Sequence, residues 1–245
     1  MSKVWFITGT SKGFGREFAL AALGRGDKVA ASARNTDTLR DLVEQYGDAV
    51  LPVELDVTNR DQVFAAVKSA HETFGRIDVV INNAGYGLFG TVEEITEHQL
   101  RDQMETNLFG VFHVTQAVLP ILREQGAGHI IQISTQGGII AFPTIAAYHA
   151  SKWALEGMTD ALSQEVAGFG IKVTLVEPGG FATDWSGASP SSPTRIPRTR
   201  LCTRTWRRGG RRSYSRSRSA SSPRSSRSWT LRSRRCACSS GRARL

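Results

Sequence analysis

Short apolar runs alternate along most of the chain with longer segments in which apolar residues recur at helical spacing. The runs predict six buried strands, over residues 4–7, 28–33, 50–56, 78–81, 128–134 and 172–176. The segments between them predict helices over residues 16–23, 37–46, 60–74, 96–124 and 148–169. Strands that alternate with helices in this way are typical of βα units around a parallel sheet. We expect an α/β fold, a doubly wound Rossmann-type parallel sheet with helices on both faces.

The segment 96–124 is either one long helix or a broken pair of helices. The residues that we expect to face inward are Met104, Leu108, Val111, Phe112, Thr115 and Val118. Asn107 falls inside this apolar stripe, and a buried amide must find hydrogen-bond partners. On the residues alone, Asn107 is a core amide that bonds to the backbone.

A glycine-rich segment, Thr8-Gly9-Thr10-Ser11-Lys12-Gly13-Phe14-Gly15, follows the first strand directly and precedes the first helix. A dinucleotide-binding loop needs this order of strand, glycine turn and helix. The glycines let the backbone approach a pyrophosphate, and the helix N-terminus offers free N–H groups and the positive end of its dipole. The alternative is an ordinary glycine-rich turn.

Arg34 lies where the second predicted strand ends, and this position discriminates between nicotinamide dinucleotides. An acidic residue near this point holds the ribose 2′-hydroxyl of NAD, whereas the 2′-phosphate of NADP calls for cations. Arg34, together with Lys12 in the glycine loop, favours NADP(H). NAD(H) stays possible, because Asp37 could serve as the ribose acid.

Tyr148 and Lys152 lie four residues apart on a predicted helix, so they share one face. A free tyrosine has a pKa of about 10 and is rarely ionised at neutral pH. An ammonium about 4 Å away in a partly dry cleft contributes roughly 4 kcal/mol, enough to bring the tyrosine toward the range of a general acid/base. The alternative is a tyrosine and a surface lysine that merely share a helix face. We expect the neighbouring His149 at the helix surface.

The charge is distributed very unevenly along the chain. The 245 residues have a net charge of +9, yet 17 of the 31 basic residues and none of the 22 acidic residues follow Asp184. Residues 1–184 therefore have a net charge of −8. The arginine- and serine-rich composition after this point cannot bury enough apolar surface to offset the entropy of ordering. We expect a dinucleotide-binding domain over residues 1–185 and a disordered basic tail over residues 186–245.

Two explanations of this tail stay open. It is either a true arginine/serine segment, which would bind nucleic acid or another acidic partner with strong salt dependence, or the product of a reading-frame shift near residue 188. The abrupt loss of lysine and of acidic residues favours the second explanation.

Cysteine usage and hydropathy narrow the class of protein further. All three cysteines, Cys202, Cys236 and Cys238, lie in the tail, and their spacing gives no zinc-type pattern, so we expect no metal site. No secretory signal or membrane span is visible, so we expect a cytoplasmic protein with no membrane partner.

Four motifs occur in a characteristic order: Thr8-Gly9-x-x-x-Gly13-x-Gly15, Asn82-Asn83-Ala84-Gly85, Tyr148-x-x-x-Lys152 and Pro178-Gly179. With these motifs, the chain resembles the classical short-chain dehydrogenase/reductase family over residues 3–185. The resemblance implies an NADP(H)-dependent oxidoreductase that transfers hydride between nicotinamide and a carbonyl or secondary alcohol substrate. It also implies a homo-oligomer, if the C-terminus permits one. The competing hypothesis is a catalytically impaired scaffold whose tail binds nucleic acid or acidic partners.

The resemblance implies a catalytic set of Asn107, Thr135, Tyr148 and Lys152. Tyr148 would act as general acid/base, Lys152 would lower its pKa and hold the nicotinamide ribose, and Asn107 would hold a water that relays protons toward Lys152. The family has a serine 13 residues before the tyrosine, where this chain has Thr135. The Thr135 hydroxyl would hydrogen-bond the developing oxyanion, whereas Ser134 should point to the opposite side of its extended segment.

The resemblance also implies a set of cofactor contacts. In the family, the position of Asp56 meets the adenine ring, although a loop acid beside a helix cap explains this residue as well. Thr183 would contact the nicotinamide carboxamide. The complete set is Gly9, Ser11, Lys12, Gly13, Phe14, Gly15, Arg34, Asp56, Val57, Asn83, Ala84, Gly85, Tyr148, Lys152, Pro178, Gly179 and Thr183.

Overall fold

The computed structural model describes residues 2–179 and contains one six-stranded parallel sheet. The strands are β1 (Val4–Ile7), β2 (Lys28–Ala33), β3 (Val50–Glu54), β4 (Val79–Asn82), β5 (Gly128–Ile133) and β6 (Ile171–Val176). They lie in the order β3-β2-β1-β4-β5-β6, and each neighbouring pair is parallel. The order reverses between β1 and β4, which is the switch point where doubly wound sheets bind their ligands. The predicted fold class is confirmed.

Six α-helices connect these strands in the described part of the chain: α1 (Gly13–Leu23), α2 (Arg40–Tyr46), α3 (Arg60–Phe74), α4 (Glu97–Met104), α5 (Gly110–Gln125) and α6 (Ala146–Glu165). A 3-10 turn, Thr36–Leu39, precedes α2. Its N-cap is Asn35, whose side-chain oxygen accepts a hydrogen bond from the Asp37 amide, so the helical segment begins one residue before the predicted start at residue 37. None of the described helices combines the length and the apolar character that crossing a bilayer requires.

Hydrophobic clusters cover both faces of the sheet. Adjacent side chains of a strand point to opposite faces, so Phe6 and Ile7 of β1 enter different clusters, and both are fully buried. The Phe6 cluster includes residues of α3, α5 and α6, whereas the Ile7 cluster includes residues of α1 and α2. Burial of one such side chain contributes about 1.5–3 kcal/mol, and it fixes the helices against the sheet that positions the site.

A π-helical turn, Glu105–Phe109, interrupts the segment 96–124 and joins α4 to α5. Asn107 lies in this turn with no exposed surface. The prediction that Val111, Thr115 and Val118 face inward is confirmed. The same prediction for Phe112 is wrong, since this residue is 40% exposed. The wider turn changes the angular register between the two helices, so a single helical period cannot be extended across it.

Strand β6 forms one edge of the described sheet and pairs there only with β5. Most of its residues are half-buried, whereas β4 is buried throughout. Thr183 and the predicted tail over residues 186–245 lie outside the described residues.

Two helical glycines give a matched test of the packing around the glycine loop. A Cβ at Gly15 would overlap the backbone carbonyl of Gly9, whereas a Cβ at Gly157 in α6 would meet open space. We expect Gly15→Ala to lower the free energy of unfolding by about 1–3 kcal/mol, and Gly157→Ala to raise it by about 0.5–1 kcal/mol. Urea unfolding of the two variants beside the parent checks this, and equal effects would contradict the packing described.

Candidate active site

The glycine loop after β1 is attached firmly to the segment after β4. The Thr8 hydroxyl accepts hydrogen bonds from the amides of Asn83 (2.9 Å) and Ala84 (3.0 Å). In return, the Asn83 side-chain amide donates to the carbonyls of Thr8 (2.9 Å) and Gly9 (3.0 Å). These four bonds join the two strands that flank the switch point, so Asn83 braces the loop.

The loop itself has the geometry of an anion cradle. Gly9 and Gly13 have φ values of 70° and 60°, in the left-handed region that favours glycine. A side chain at Gly13 would meet nothing within 4 Å, so the space beside it is open to a ligand. Lys12 is the N-cap of α1 and provides no side-chain cap, which leaves the first-turn amides without that partner. Ser11 and Lys12 are exposed, and Phe14 is half-buried against Phe18.

The end of β2 lies beside this loop. The Thr10 amide and hydroxyl both donate to the Ser32 carbonyl, at 2.8 and 3.0 Å, two residues before Arg34. Arg34 is exposed, and Asp37 forms an ion pair with Arg40 at 2.7 Å. Because the Asp37–Arg40 pair is exposed, it contributes little to stability. The pair is therefore compatible with either cofactor, NADP(H) or NAD(H).

Further residues that were predicted to contact the cofactor lie on the segments that follow β3 and β4. Asp56 accepts hydrogen bonds from the amide (3.0 Å) and hydroxyl (2.8 Å) of Thr58, as a loop acid does just before a helix. The next residue, Val57, is buried, and a Cβ at Gly110 of α5 would stand 2.7 Å from its methyl group. Gly85 follows Asn83 and Ala84 in the chain and approaches Asn107 closely. A Cβ added to Gly85 would stand 3.0 Å from the Asn107 amide oxygen.

Tyr148 and Lys152 lie side by side in α6, and both are only 6% exposed. The Thr135 side chain, just beyond the end of β5, lies close enough to the Tyr148 hydroxyl to act on its pKa. Lys152 Nζ donates to the Ile133 carbonyl at 2.7 Å and lies 5.9 Å from the centre of the Tyr148 ring. The structure therefore brings the three predicted groups together at the carboxyl end of β5.

The structure does not show the predicted effect of the Lys152 ammonium, which was to lower the pKa of Tyr148. Burial raises the pKa of Tyr148 to about 12, although the neighbouring Thr135 hydroxyl acts to lower it. Burial lowers the pKa of Lys152 to about 8, partly offset by the nearby Glu156 carboxylate. The prediction that Lys152 lowers the tyrosine pKa was wrong for this arrangement, because desolvation dominates both groups and the ammonium is bonded to the Ile133 carbonyl.

Asn107 connects the π turn to α6. Its side-chain amide donates to the Tyr86 carbonyl (2.9 Å) and to the Ser151 hydroxyl (3.1 Å), and its oxygen accepts from the Tyr86 amide at 3.1 Å. Ser151 in turn donates to the Tyr148 carbonyl at 2.8 Å. Asn107 thus has both backbone and side-chain partners, and the water relay implied by the family resemblance stays a prediction.

The segment after β6 closes this side of the site. The Pro178 carbonyl accepts from the Gln136 amide (3.0 Å) and from the Thr135 hydroxyl at 3.4 Å. Gly179 is exposed at the end of the described chain. Ser134 bonds to Glu156 and so points away from Tyr148, which agrees with the predicted alternation of Ser134 and Thr135.

Sequence reasoning missed one buried group beside Tyr148. His149 was expected at the helix surface, yet it is only 5% exposed and is bonded to the backbone at both ring nitrogens. This prediction was wrong because the segment between β5 and α6 folds over that side of the helix. The two glycines of Gln136-Gly137-Gly138 were the available signal, since they permit close backbone approach.

Comparison with known proteins agrees with this geometry. The model of the short chain dehydrogenase family matches residues 3–193. Oxidoreductase BOA17 of Botryotinia fuckeliana is 54% identical over 195 residues, which are 79% of this chain and 71% of that protein. A short-chain dehydrogenase structure from Streptomyces avermitilis is 41% identical with a TM-score of 0.80, over 85% of this chain and 77% of that one. The chain therefore belongs to the short-chain dehydrogenase family, whose members are NAD(P)-dependent oxidoreductases.

Two further solved structures contain nicotinamide cofactors. ElxO with NADP bound is 30% identical with a TM-score of 0.72, over 75% of this chain and 76% of that one. A short-chain dehydrogenase/reductase from Burkholderia phymatum in complex with NAD is 28% identical with a TM-score of 0.75, over 86% of this chain and 78% of that one. The fold therefore accommodates either dinucleotide.

The buried Lys152 ammonium predicts a distinctive pH dependence of stability. Its pKa is about 8 in the folded chain, against an ordinary value of 10.5 for a lysine side chain. Between these values the unfolded chain binds more protons at this residue, so the free energy of unfolding should rise with pH. The rise from about pH 8 to about pH 10 should be about 2 kcal/mol.

Urea unfolding of the parent and of Lys152→Met over this pH range isolates the effect, because the variant lacks the titrating group. As the pH rises, the free energy of unfolding of the parent should increase relative to that of Lys152→Met. A constant difference would show that the ammonium is not buried as described.

Proposed function

We propose that the chain transfers hydride between NADP(H) and a carbonyl or secondary alcohol substrate, with Tyr148 as the general acid/base. The observation that carries this proposal is the juxtaposition of three side chains: Thr135 lies beside the Tyr148 hydroxyl, and Lys152 Nζ lies 5.9 Å from the centre of the Tyr148 ring, one helical turn further along α6. The site lies at the carboxyl edge of a parallel sheet, on the same edge as the braced glycine loop, where ligands of such sheets bind.

The cofactor-binding surface would consist of the glycine loop and its neighbours. The uncapped amides of α1 and the open space beside Gly13 suit a pyrophosphate. Asn83 to Gly85, Asp56 and Val57 would border the nucleoside, and Pro178 and Gly179 would border the nicotinamide. When bound, the reduced nicotinamide supplies the hydride.

Each catalytic side chain has a separate task in this proposal. Tyr148 donates its phenolic proton to the substrate oxygen during reduction and takes the proton back during oxidation. The Thr135 hydroxyl donates a hydrogen bond to the same oxygen as negative charge develops there. Asn107 holds α6 through Ser151, and Lys152 fixes the helix to β5. The raised pKa of Tyr148 keeps the phenol protonated at neutral pH, so the proton that carbonyl reduction requires is present on this group.

NADP(H) is the cofactor that the local charges support. Arg34 follows β2, and the glycine loop that contains Lys12 is bonded to the same strand end through Thr10 and Ser32. Two exposed cations on adjoining segments suit the additional phosphate of NADP. NAD(H) is the alternative, with Asp37 as the ribose acid after release from Arg40. We also expect a homo-oligomer, as for many relatives with this fold.

Replacement of the catalytic phenol tests the reaction assignment. We expect Tyr148→Phe to bind NADPH nearly as tightly as the parent and to lose turnover by at least about a hundredfold, since proton transfer contributes that much. Cofactor fluorescence measures binding, and a panel of carbonyls and alcohols with NADPH measures turnover. Tyr46→Phe, at the end of α2, is the control and should retain the parent rate. Turnover that persists in Tyr148→Phe would overturn the mechanism.

Replacement of Arg34 tests the cofactor assignment. We expect Arg34→Ala to raise the dissociation constant of NADPH about tenfold, the value of one charge-assisted hydrogen bond, and to leave that of NADH nearly unchanged. Titration of each cofactor into the variant and the parent checks this. Lys68→Ala, which removes an exposed cation of α3, is the control for net charge. An equal change for NADPH and NADH would show that Arg34 does not recognise the 2′-phosphate.

A further inference from the structure

The His149 ring fills the space between α6 and the segment that joins β5 to α6. His149 Nδ1 lies 2.6 Å from the Gly137 carbonyl oxygen, and the Phe142 amide donates to Nε2 at 2.7 Å. The ring is 5% exposed and lies 5.7 Å from the Phe142 ring, centre to centre. One side chain therefore bonds to two points of the connecting segment.

The two hydrogen bonds assign the tautomer of this ring. A carbonyl oxygen only accepts, so Nδ1 must carry the proton, and a backbone amide only donates, so Nε2 must present its lone pair. The bonded ring is thus the neutral Nδ1–H form. The two nitrogens have different chemical tasks, and a substitution can remove either one separately.

The Nδ1 bond leads directly to the catalytic threonine. Gly137 lies in the 3-10 turn Gln136–Gly138, and its amide donates to the Thr135 hydroxyl at 3.2 Å. That hydroxyl lies beside the Tyr148 hydroxyl and acts on its pKa. Gly137 also fits closely against the ring, since an added Cβ would stand 2.6 Å from His149 Cε1. The Gly137 carbonyl also accepts a hydrogen bond from Trp153 Nε1, at 3.1 Å. The His149 ring, which has the shorter bond, therefore acts together with Trp153 to hold the turn that presents Thr135 to Tyr148.

The Nε2 bond holds a different part of the same segment. Phe142 follows Ile139 and Ile140, whose side chains are 46% and 50% exposed although they are apolar. With the Phe142 amide bonded to His149, this part of the chain is attached to the helix that contains Tyr148. Loss of that bond would free residues 139–142 and leave the Thr135 turn in place.

We propose that His149 is a positioning residue with two separable tasks: through Gly137 it sets the Thr135 hydroxyl against Tyr148, and through Phe142 it holds residues 139–142 beside the substrate. The proposal rests on the proposed function, because it acts on the hydroxyl that would stabilise the oxyanion. His149 itself touches neither the substrate nor the cofactor in this scheme.

Two amide variants separate the tasks. The Asn side-chain amide nitrogen can take the place of Nδ1, so His149→Asn keeps the donor to Gly137 and loses the acceptor for Phe142. The Gln amide oxygen can reach the place of Nε2, so His149→Gln keeps the acceptor and loses the donor. We expect His149→Gln to lower kcat about tenfold with little change in KM, and His149→Asn to raise the substrate KM several-fold with a smaller loss of kcat.

Controls distinguish positioning from general damage to the fold. His98→Gln replaces an exposed histidine of α4 and should leave kcat, KM and the urea midpoint unchanged. Both His149 variants should bind NADPH as the parent does. Equal losses of kcat in the Asn and Gln variants, or no loss in either, would overturn the proposal. If Tyr148→Phe keeps turnover, the proposed function fails instead, so the two failures are distinct.

A double-mutant cycle tests the path through Gly137. Gly137→Ala should displace the ring and lower kcat, and His149→Ala removes the ring atoms that the new methyl would meet. If both act on Thr135 by the same path, the double variant should lose no more kcat than the worse single variant. Multiplicative losses would overturn the path.

The ring nitrogens also provide a signal that does not depend on turnover. In the full chain, nitrogen NMR of labelled histidine should show His149 as the Nδ1–H tautomer, with its side-chain proton protected from exchange. His149→Gln removes that signal and identifies it. A ring that is protonated at Nε2 instead would contradict the two hydrogen bonds and overturn the proposal.

Discussion

The hydrogen bond from Lys152 to the Ile133 carbonyl is the contact on which the geometry of the site depends. It joins α6 to the last residue of β5 at 2.7 Å and so places Tyr148 next to Thr135, two residues beyond that carbonyl. A buried ammonium is costly unless it is hydrogen-bonded or paired. The position of α6 is therefore restricted to one in which the Lys152 ammonium reaches the Ile133 carbonyl, whereas Glu156, one turn further along α6, lies near the same ammonium within the helix itself.

Buried polar bonds extend this constraint to both sides of α6. On one side, Asn107 in the π turn reaches Ser151, which bonds to the Tyr148 carbonyl. On the other side, His149 holds the turn that follows Thr135. A partly unsatisfied network of this kind would be destabilising, whereas a satisfied one fixes a single arrangement. Neighbouring elements of structure, as well as its own helix, thus hold Tyr148 in place.

Most of the predicted basic tail lies beyond the segment that the family model matches. The family model matches up to residue 193, and the residues after it, which hold all 17 arginines that follow Asp184, lie beyond the matched segment. This boundary is consistent with either explanation of the tail, an arginine/serine segment or a shifted reading frame near residue 188. Translation of the neighbouring frames of the coding DNA distinguishes them, since a shifted frame should restore a helix and a hydrophobic strand.

The sequence by itself determined the sheet and the edge at which the site lies. Apolar runs such as Val4–Ile7 must be buried, and the glycine loop and Tyr148-x-x-x-Lys152 follow strands at fixed intervals, so their convergence at one edge is a property of any parallel sheet. Only the tertiary structure decided the π turn at Asn107, the burial of His149 and the partner of Lys152. Each of these depends on contacts between residues far apart in the chain, and desolvation at such contacts outweighed the local pairing that spacing suggested.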